Sequence, residues 1–174
     1  SNAGDYECVA RRFGGNDGFL KLLAALKQRG LRVLLGGVFN HTGTAFFAFQ
    51  DLVKNGAQSK FRDWYTVNSW PLDVTSKTPN YDCWWGFGTL PKLRVDDSTA
   101  VQDYLLGVVG KWTRAGIDGW RLDVTNEVGH PLWNRFRHAV GGLAPAGQNG
   151  GEVGEAGAAR AGGGGSSAGT TPAC

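Results

Sequence analysis

An arginine and an aspartate lie two residues apart in an apolar segment that we predict to be a β-strand. Because side chains alternate along a strand, Arg121 and Asp123 share one face. The apolar side chains of Trp120, Leu122 and Val124 share the other face and can pack on outer helices. The adjacent guanidinium favours the ionised carboxylate, which a nucleophile attacking an anomeric carbon requires. The pair predicts a nucleophilic Asp123, and a purely structural ion pair is the alternative.

Further polar residues stand at the ends of two predicted strands. Asn126, Glu127 and His130 come just after the strand that carries Arg121 and Asp123, and they argue against a purely structural pair. His41 follows the apolar segment 31–39 and could donate a hydrogen bond to a substrate hydroxyl. For that histidine alone, a loop residue without a catalytic role is the stronger interpretation. Active sites of parallel barrels lie at the carboxyl ends of the strands, where both groups would stand.

Helical stripes alternate with the two predicted strands, residues 31–39 and 117–124. The apolar stripes are Phe19, Leu22, Leu23 and Leu26, then Val101, Tyr104, Leu105, Val108, Val109 and Trp112, and then Leu132, Phe136 and Val140. Asn16 or Asp17 can cap the first helix, and Ser98 lies in a cap cluster before the second. The order helix, strand, excursion, helix, strand, helix predicts a parallel sheet with helices outside it.

The pattern loosens between residues 42 and 95, where we predict only a short helix around residues 46–53. Three prolines and many aromatic residues follow without a long periodic stretch. A connection of this length is either a functional excursion or a small subdomain. From residue 144 onward Gly, Ala, Ser and Thr dominate, so we expect disorder or a weakly held arm there.

Composition narrows the class of protein. With 174 residues, the chain is shorter than the ~250 residues typical of a complete (β/α)8 barrel. Its net charge of +3 is scattered and no segment is apolar enough to span a membrane, so we expect neither nucleic acid nor a membrane as partner. Cys8, Cys83 and Cys174 fit no metal motif or disulfide framework and indicate a reducing, cytoplasmic compartment. Seven tryptophans and nine phenylalanines suit either a core or a sugar-binding cleft.

Two sequence motifs resemble signature regions of the α-amylase family of glycoside hydrolases. They are VFNHTG at residues 38–43 and GIDGWRLDVTNEVGH at residues 116–130. The resemblance is nearest to the neopullulanase, cyclomaltodextrinase and maltogenic amylase branch. Further similar segments follow in the family's order, namely RFGG at 12–15, FQDLVKNGAQSKFRDWY at 49–65, PNYD at 79–82 and LPKL at 90–93. The resemblance covers most of residues 5–143.

The resemblance implies an α/β fold, an incomplete (β/α)8 TIM barrel with a domain-B-like excursion after strand three. The barrel part would contain about strands two to four or five. Residues 4–41 would supply helix two and strand three, and residues 42–95 the excursion. Residues 96–153 would supply helix three, strand four, helix four and a weak fifth strand. Residues 154–174 would form a tail rich in Gly, Ala and Ser.

For individual residues, the resemblance implies a retaining mechanism on α-1,4 or α-1,6 glucosidic bonds. Asp123 matches the nucleophile and Arg121 the arginine that holds it. The residues implied in substrate binding are His41 at the cleavage subsite, Glu127 and His130 near the acceptor subsites, and Tyr81 in the wall of the cleft. Glu152 lies near the offset of the acid/base glutamate, although an exposed Glu in a Gly-rich tail is the stronger interpretation. No cofactor is implied; the family allows calcium, but the sequence has no compact carboxylate cluster that would demand it.

Four departures from the family pattern bear on activity. Gly36 stands where the family carries an Asp that braces the catalytic Arg. Residues 146–150 lack the apolar character of a fifth strand, and Gly154 replaces a Trp. The chain also ends before strand seven, which carries the third catalytic carboxylate. We therefore expect a glycosidase of α-glucans and maltooligosaccharides that is inactive as it stands. The alternative is a non-catalytic glucan-binding or structural homologue, and in either case exposed barrel edges would favour self-association.

Overall fold

The computed structural model describes residues 4–142 and shows helices and strands in the predicted order. The helices are α1 (Gly15–Gln28), α2 (Phe47–Asn55), α3 (Thr99–Ala115) and α4 (His130–Gly141), and the strands are β1 (Leu34–Val38) and β2 (Gly119–Asp123). Short 3-10 turns lie at Arg11–Phe13, Gly56–Gln58, Arg62–Trp64, Trp84–Gly86 and Thr125–Glu127. No helix in this described part of the chain has the length and apolar character needed to cross a membrane.

The two strands pair in parallel, with Leu34 opposite Gly119 and Val38 opposite Asp123. Parallel strands cannot be joined by a tight turn and need a crossover connection. Here that crossover contains α2, the long irregular connection and α3. The two carboxyl ends therefore meet at the same edge of the sheet.

Both strands are shorter than the predicted segments 31–39 and 117–124. Before β1, the amide of Val33 donates to the carboxylate of Asp118 at 2.8 Å, so a side chain replaces a strand partner. After β2, Val124 adopts a left-handed conformation with a φ of 54°, which ends the strand. Val124 is therefore not part of the strand face to which the alternation assigns it.

The start of α1 differs from its prediction. Gly14 occupies the N-cap position in a left-handed conformation with a φ of 92°, so the predicted cap by Asn16 or Asp17 is wrong. The side chain of Asn16 is used elsewhere. It accepts from the amide of Val9 at 2.8 Å and donates to the carbonyl of Glu7 at 3.1 Å. This asparagine thus ties the N-terminal segment to the first helix.

The third helix begins and ends where the sequence predicts. The hydroxyl of Ser98 accepts from the amide of Val101 at 3.3 Å and caps the helix. Gly116 ends it with a φ of 110°, a conformation that glycine adopts without steric cost. Immediately after this turn the chain enters β2, so the helix stop sets where the strand begins.

Two hydrophobic clusters hold these elements together, and α3 contributes to both. The larger cluster includes Phe39, Phe46, Phe49, Trp64, Tyr65, Tyr81, Leu105, Leu132 and Phe136. The smaller cluster joins α1 to α3 and includes Leu23, Val108, Trp112 and Ile117. Trp120 packs against both clusters. Residues from the predicted excursion, 42–95, thus share a core with the helices.

The sheet is covered on one face and open on the other. Trp120 lies on the covered face, against the hydrophobic clusters. On the opposite face Leu34 is 63% exposed, and Gly36 and Arg121 are exposed beside it. We call the surface formed by Leu34, Gly36, Arg121 and Asp123 the open face. It carries both members of the predicted nucleophile pair.

Candidate active site

Arg121 and Asp123 lie side by side on the open face, as the strand alternation predicts. The Nη1 atom of Arg121 is 3.3 Å from Oδ1 of Asp123. Asp123 is the last residue of β2 and lies opposite Val38, the last residue of β1. The carboxylate therefore stands at the carboxyl edge of the sheet, the edge at which parallel barrels place their reactive groups.

The position opposite Arg121 in the sheet register is Gly36. A Cβ atom built on this glycine meets no heavy atom within 4 Å. The backbone therefore leaves room for the aspartate that the family resemblance implies at this position. The carboxylate is missing because the residue is a glycine, and lack of space is not the reason. Among the described residues, Asp123 is the ion-pair partner that the structure gives Arg121.

The backbone around His41 is held from two sides. The hydroxyl of Tyr6 contacts two carbonyls within hydrogen-bond distance, that of Val38 at 2.7 Å and that of His41 at 3.1 Å. On the other side, the amide of Leu93 donates to the carbonyl of Asn40 at 2.9 Å. These contacts fix the backbone on both sides of His41, and the residue itself is only 5% exposed.

The imidazole of His41 is set up as a neutral hydrogen-bond donor. The side-chain amide of Asn40 donates to its Nδ1 atom at 3.3 Å, which leaves the ring proton on Nε2. Burial lowers the pKa of His41, while the nearby carboxylates of Asp123 and Glu127 act in the opposite direction. Burial is the larger cause, so at neutral pH the ring offers an uncharged N–H group.

An aromatic stack extends outward from His41. Its ring is stacked on Trp84, with a centroid distance of 4.9 Å and an interplanar angle of 16°. Trp84 is stacked in turn on Trp85 at 5.2 Å and 26°. Glu127 fixes both indoles, because its Oε1 atom accepts from Trp84 Nε1 at 3.2 Å and from Trp85 Nε1 at 3.4 Å. We call these three rings the aromatic stack.

Neither Trp84 nor Trp85 was among the residues predicted from the sequence to form the site. The available signal was two adjacent tryptophans in a segment without helical or strand periodicity, where neither has a regular apolar face to join. Their contact with Glu127 spans 43 and 42 residues of the chain. Such a contact depends on how the connection folds back, which local spacing does not encode.

Of the other residues predicted to bind substrate, His130 lies at the surface and Tyr81 lies in the core. His130 is exposed at the first position of α4. Tyr81 is 4% exposed, and its hydroxyl donates to the carbonyl of Gly88 at 2.7 Å. In this structure Tyr81 packs on Phe49 in the core, and its place in a cleft wall stays a prediction. Glu152, the candidate acid/base, lies outside the described residues.

A small polar cavity of about 180 Å³ adjoins the aromatic stack through Glu127. Its lining includes Asn40, Asp82 and Lys92. These groups supply amide, carboxylate and ammonium partners for hydroxyl groups. Within residues 4–142, no group of three or more His, Cys, Asp or Glu side chains is arranged to hold a metal ion.

Comparisons with known proteins agree on one family. A family profile described as "Alpha amylase, catalytic domain" matches residues 2–139. A cyclomaltodextrinase from Bacillus sp is 44% identical over 137 residues, which are 78% of this chain and 24% of that protein. Neopullulanase 2 from Thermoactinomyces vulgaris is 41% identical over 142 residues, covering 81% of this chain and 24% of the relative. Intracellular maltogenic amylase from Bacillus subtilis is 44% identical over 137 residues, 78% of this chain and 22% of that protein.

Solved structures give the same result. The chain superposes with a TM-score of 0.78 on a cyclic α-maltosyl-(1→6)-maltose hydrolase from Arthrobacter globiformis, at 38% identity. The match covers 81% of this chain and 31% of that structure. The chain thus spans 24% of the length of the first two curated relatives and 31% of the solved structure.

Proposed function

The chain belongs to the α-amylase family of glycoside hydrolases, and from this premise we propose that it supplies the nucleophile side of a retaining α-glucan hydrolase. The observation that carries the proposal is the ion pair of Arg121 and Asp123 at the carboxyl edge of the sheet. A guanidinium beside a carboxylate favours its ionised form. An ionised carboxylate is the group that forms the glycosyl-enzyme intermediate of retaining glycosidases.

In the proposed reaction, the carboxylate of Asp123 bonds to the anomeric carbon while the bond to the leaving oxygen breaks. A protonated carboxyl gives that oxygen its proton, and water then hydrolyses the glycosyl ester. Retaining enzymes hold their two carboxyl groups about 5–5.5 Å apart. Glu152 remains our candidate for the second carboxyl. His41 is proposed to donate from Nε2 to a hydroxyl of the sugar being cleaved.

The proposed substrates are α-1,4- and α-1,6-linked glucans, including maltooligosaccharides. The names of the relatives support this class, since they include a cyclomaltodextrinase, a neopullulanase and a maltogenic amylase. Glu127 and His130 are proposed to contact further sugar units, and Tyr81 to support the cleft. One relative is named intracellular, which supports a cytoplasmic location. We expect no cofactor, nucleic acid or membrane to be required.

The fold proposal follows the family barrel. We infer that β1 and β2 are strands three and four of a (β/α)8 barrel, and that residues 42–95 correspond to its domain-B-like excursion. The parallel pairing of the two strands and the helices on one side of them support this assignment. On this assignment the open face lines the barrel interior, where further strands would cover Leu34.

For the chain by itself we propose glucan binding without turnover. Gly36 leaves Arg121 without the second carboxylate of the family pattern, so the arginine that holds Asp123 is itself held less firmly. Displacing a catalytic group by 1 Å can cost on the order of 100-fold in rate. The alternative is a non-catalytic homologue, which predicts the same binding if its role is to bind glucan and no binding if its role is structural.

The test uses the purified chain with maltoheptaose, measuring binding by calorimetry and hydrolysis by the release of reducing ends. We expect binding with no detectable hydrolysis. Hydrolysis that is lost in Asp123→Asn would overturn the proposal of an inactive chain and show that the reaction requires the Asp123 carboxylate. Absence of binding to any α-glucan would overturn the proposed substrate class.

A further inference from the structure

Trp85 is the most exposed of the large hydrophobic side chains in the described part of the chain, at 75%. Trp84 covers one side of the ring by stacking, and at this exposure the other side faces solvent. A large aromatic side chain left in water forgoes the free energy of its burial. The proposed reaction makes no use of this residue.

The conformation of Trp85 is also unusual. Its φ of 51° and ψ of 31° lie in the left-handed region, which bulky residues avoid. Residues held in such conformations persist where the surrounding structure determines them, often at binding sites. Here the determining contacts are the stacked ring of Trp84 and the hydrogen bond to Glu127.

The aromatic stack connects this exposed indole to the candidate reaction centre. His41, at its inner end, follows β1, whose last residue pairs with Asp123. Glu127 lies a short distance after Asp123 in the chain and binds both indoles. The stack and the nucleophile are thus positioned by the same edge of the sheet.

We propose that the outer face of Trp85 is a sugar-binding platform, which stacks on a glucose ring of an α-glucan at a distance from the cleavage point. The flat indole matches the apolar face of a pyranose ring. Glu127 is its positioning residue, because one carboxylate oxygen holds both tryptophans. The inference rests on the proposed function, and it adds a specific subsite to it.

The geometry assigns this platform to a sugar unit other than the one at His41. Two successive stacking distances, 4.9 Å and 5.2 Å, separate the His41 ring from the Trp85 ring. A single glucose unit contacting His41 therefore does not also stack on the outer face of Trp85. The platform should strengthen the binding of long oligosaccharides and leave the binding of maltose unchanged.

The experiment is a calorimetric titration of the full chain with maltose and with maltoheptaose, for the wild type and for Trp85→Ala. We expect Trp85→Ala to weaken maltoheptaose binding about tenfold, the scale of one aromatic contact, with no change for maltose. Trp85→Gly is a second truncation that suits the left-handed backbone. Glu127→Ala frees both indoles and should reproduce the loss for the long ligand, whereas Glu127→Gln keeps a side-chain oxygen that both indoles can donate to and should bind maltoheptaose more tightly than Glu127→Ala.

Trp70→Ala is the matched control, since Trp70 is another exposed tryptophan and lies outside the aromatic stack. It should bind maltoheptaose as the wild type does. Unchanged maltoheptaose binding in both Trp85 variants, beside a wild type that binds, would overturn the platform and leave the proposed function standing. A wild type that binds no α-glucan would overturn the proposed function and the platform together.

Discussion

Gly36 is the residue beside the reactive pair at which we expect this chain to depart from its family pattern. It lies opposite Arg121, and the space above its Cα is empty within 4 Å. The side chain of Arg121 is 65% exposed, so its ion pair with Asp123 is well solvated. Solvation weakens every charge interaction on this face, which limits how firmly one neighbour can hold the arginine.

A carboxylate at position 36 should restore part of that hold. We expect Gly36→Asp to exceed Gly36→Asn in free energy of unfolding by up to about 1 kcal/mol, the scale of an exposed ion pair. Both variants remove the flexibility of glycine from the strand, so the comparison isolates the charge. Urea unfolding at low salt and at about 1 M salt measures the difference, which screening should abolish. Equal stability at low salt would mean that the new carboxylate does not reach Arg121.

The buried imidazole of His41 predicts a pH dependence of stability. Burial places its folded-state pKa below the ordinary value of 6.5. Below about pH 6.5 the unfolded chain therefore binds the proton more readily than the folded chain does. The contribution of neutral His41 to the free energy of unfolding is therefore fully present above that pH. It is lost as the pH falls through the folded-state pKa of His41.

This dependence can be isolated with His41→Gln. The free energy of unfolding of the wild type should fall on acidification from pH 7.5 to pH 5.5 more steeply than that of the variant. The extra slope is at most about 1.4 kcal/mol per pH unit, the value for one proton. Urea unfolding at several pH values measures both slopes. Identical slopes would contradict a lowered pKa for His41.

At the scale of elements, the connection after β1 is held by pairing with a distant segment. The carbonyl of Pro91 accepts from the amide of Thr42 at 3.0 Å, and the amide of Leu93 donates to the carbonyl of Asn40. Tyr6 closes the opposite side through its hydroxyl. The position of His41 therefore depends on the N-terminal segment and on the end of the irregular connection together.

Two tyrosines in one aromatic group provide a test of this arrangement. The rings of Tyr6 and Tyr104 are 6.4 Å apart. The hydroxyl of Tyr6 reaches the carbonyls of Val38 and His41, whereas among the described residues that of Tyr104 is buried without a hydrogen-bond partner. Losing a buried hydrogen bond costs about 1–3 kcal/mol, whereas removing an unpaired hydroxyl is neutral or favourable.

We expect Tyr6→Phe to lower the free energy of unfolding by about 1–3 kcal/mol, and Tyr104→Phe to leave it unchanged or raise it. The two substitutions remove the same atom from the same aromatic group, so each serves as the control for the other. Urea unfolding of both variants measures the effect. A loss of stability in Tyr104→Phe equal to that in Tyr6→Phe would show that these hydroxyls do not differ as described.

At the scale of the whole molecule, the main feature is the open face of the sheet, which the described residues leave uncovered. Leu34 is 63% exposed on it, and each strand of the two-stranded sheet has one edge without a strand partner among residues 4–142. Open strand edges and apolar patches favour association between chains. The same face carries Asp123, so association there would also cover the nucleophile.

Self-association through this face should respond to a charge at its apolar end. We expect the wild type to show a concentration-dependent increase in mass by analytical ultracentrifugation, and Leu34→Glu to shift the equilibrium toward the monomer. Leu22→Glu is the control, because Leu22 is 54% exposed on α1 and is not part of the open face. Equal association in all three proteins would place the contact elsewhere.

The elements that carry the reactive pair could be predicted because their signals are local. The apolar stripes predicted the helices α1, α3 and α4, and Ser98 and Gly116 marked the limits of α3 correctly. The cap of α1 was predicted wrongly. Asn16 is a good N-cap type, but its side chain instead binds Val9 and Glu7, a tertiary contact that propensity does not include.

By itself the sequence determined the family, the order of the elements and the common face of Arg121 and Asp123. These depend on motif identity and on periodicity along one strand, which neighbouring residues specify. Only the tertiary structure decided that Val124 leaves the strand, that Tyr81 is buried and that Trp84 stacks on His41 and Trp85 on Trp84, with Glu127 binding both indoles. Those outcomes join segments far apart in the chain, and their free energy depends on how an irregular connection packs as a whole.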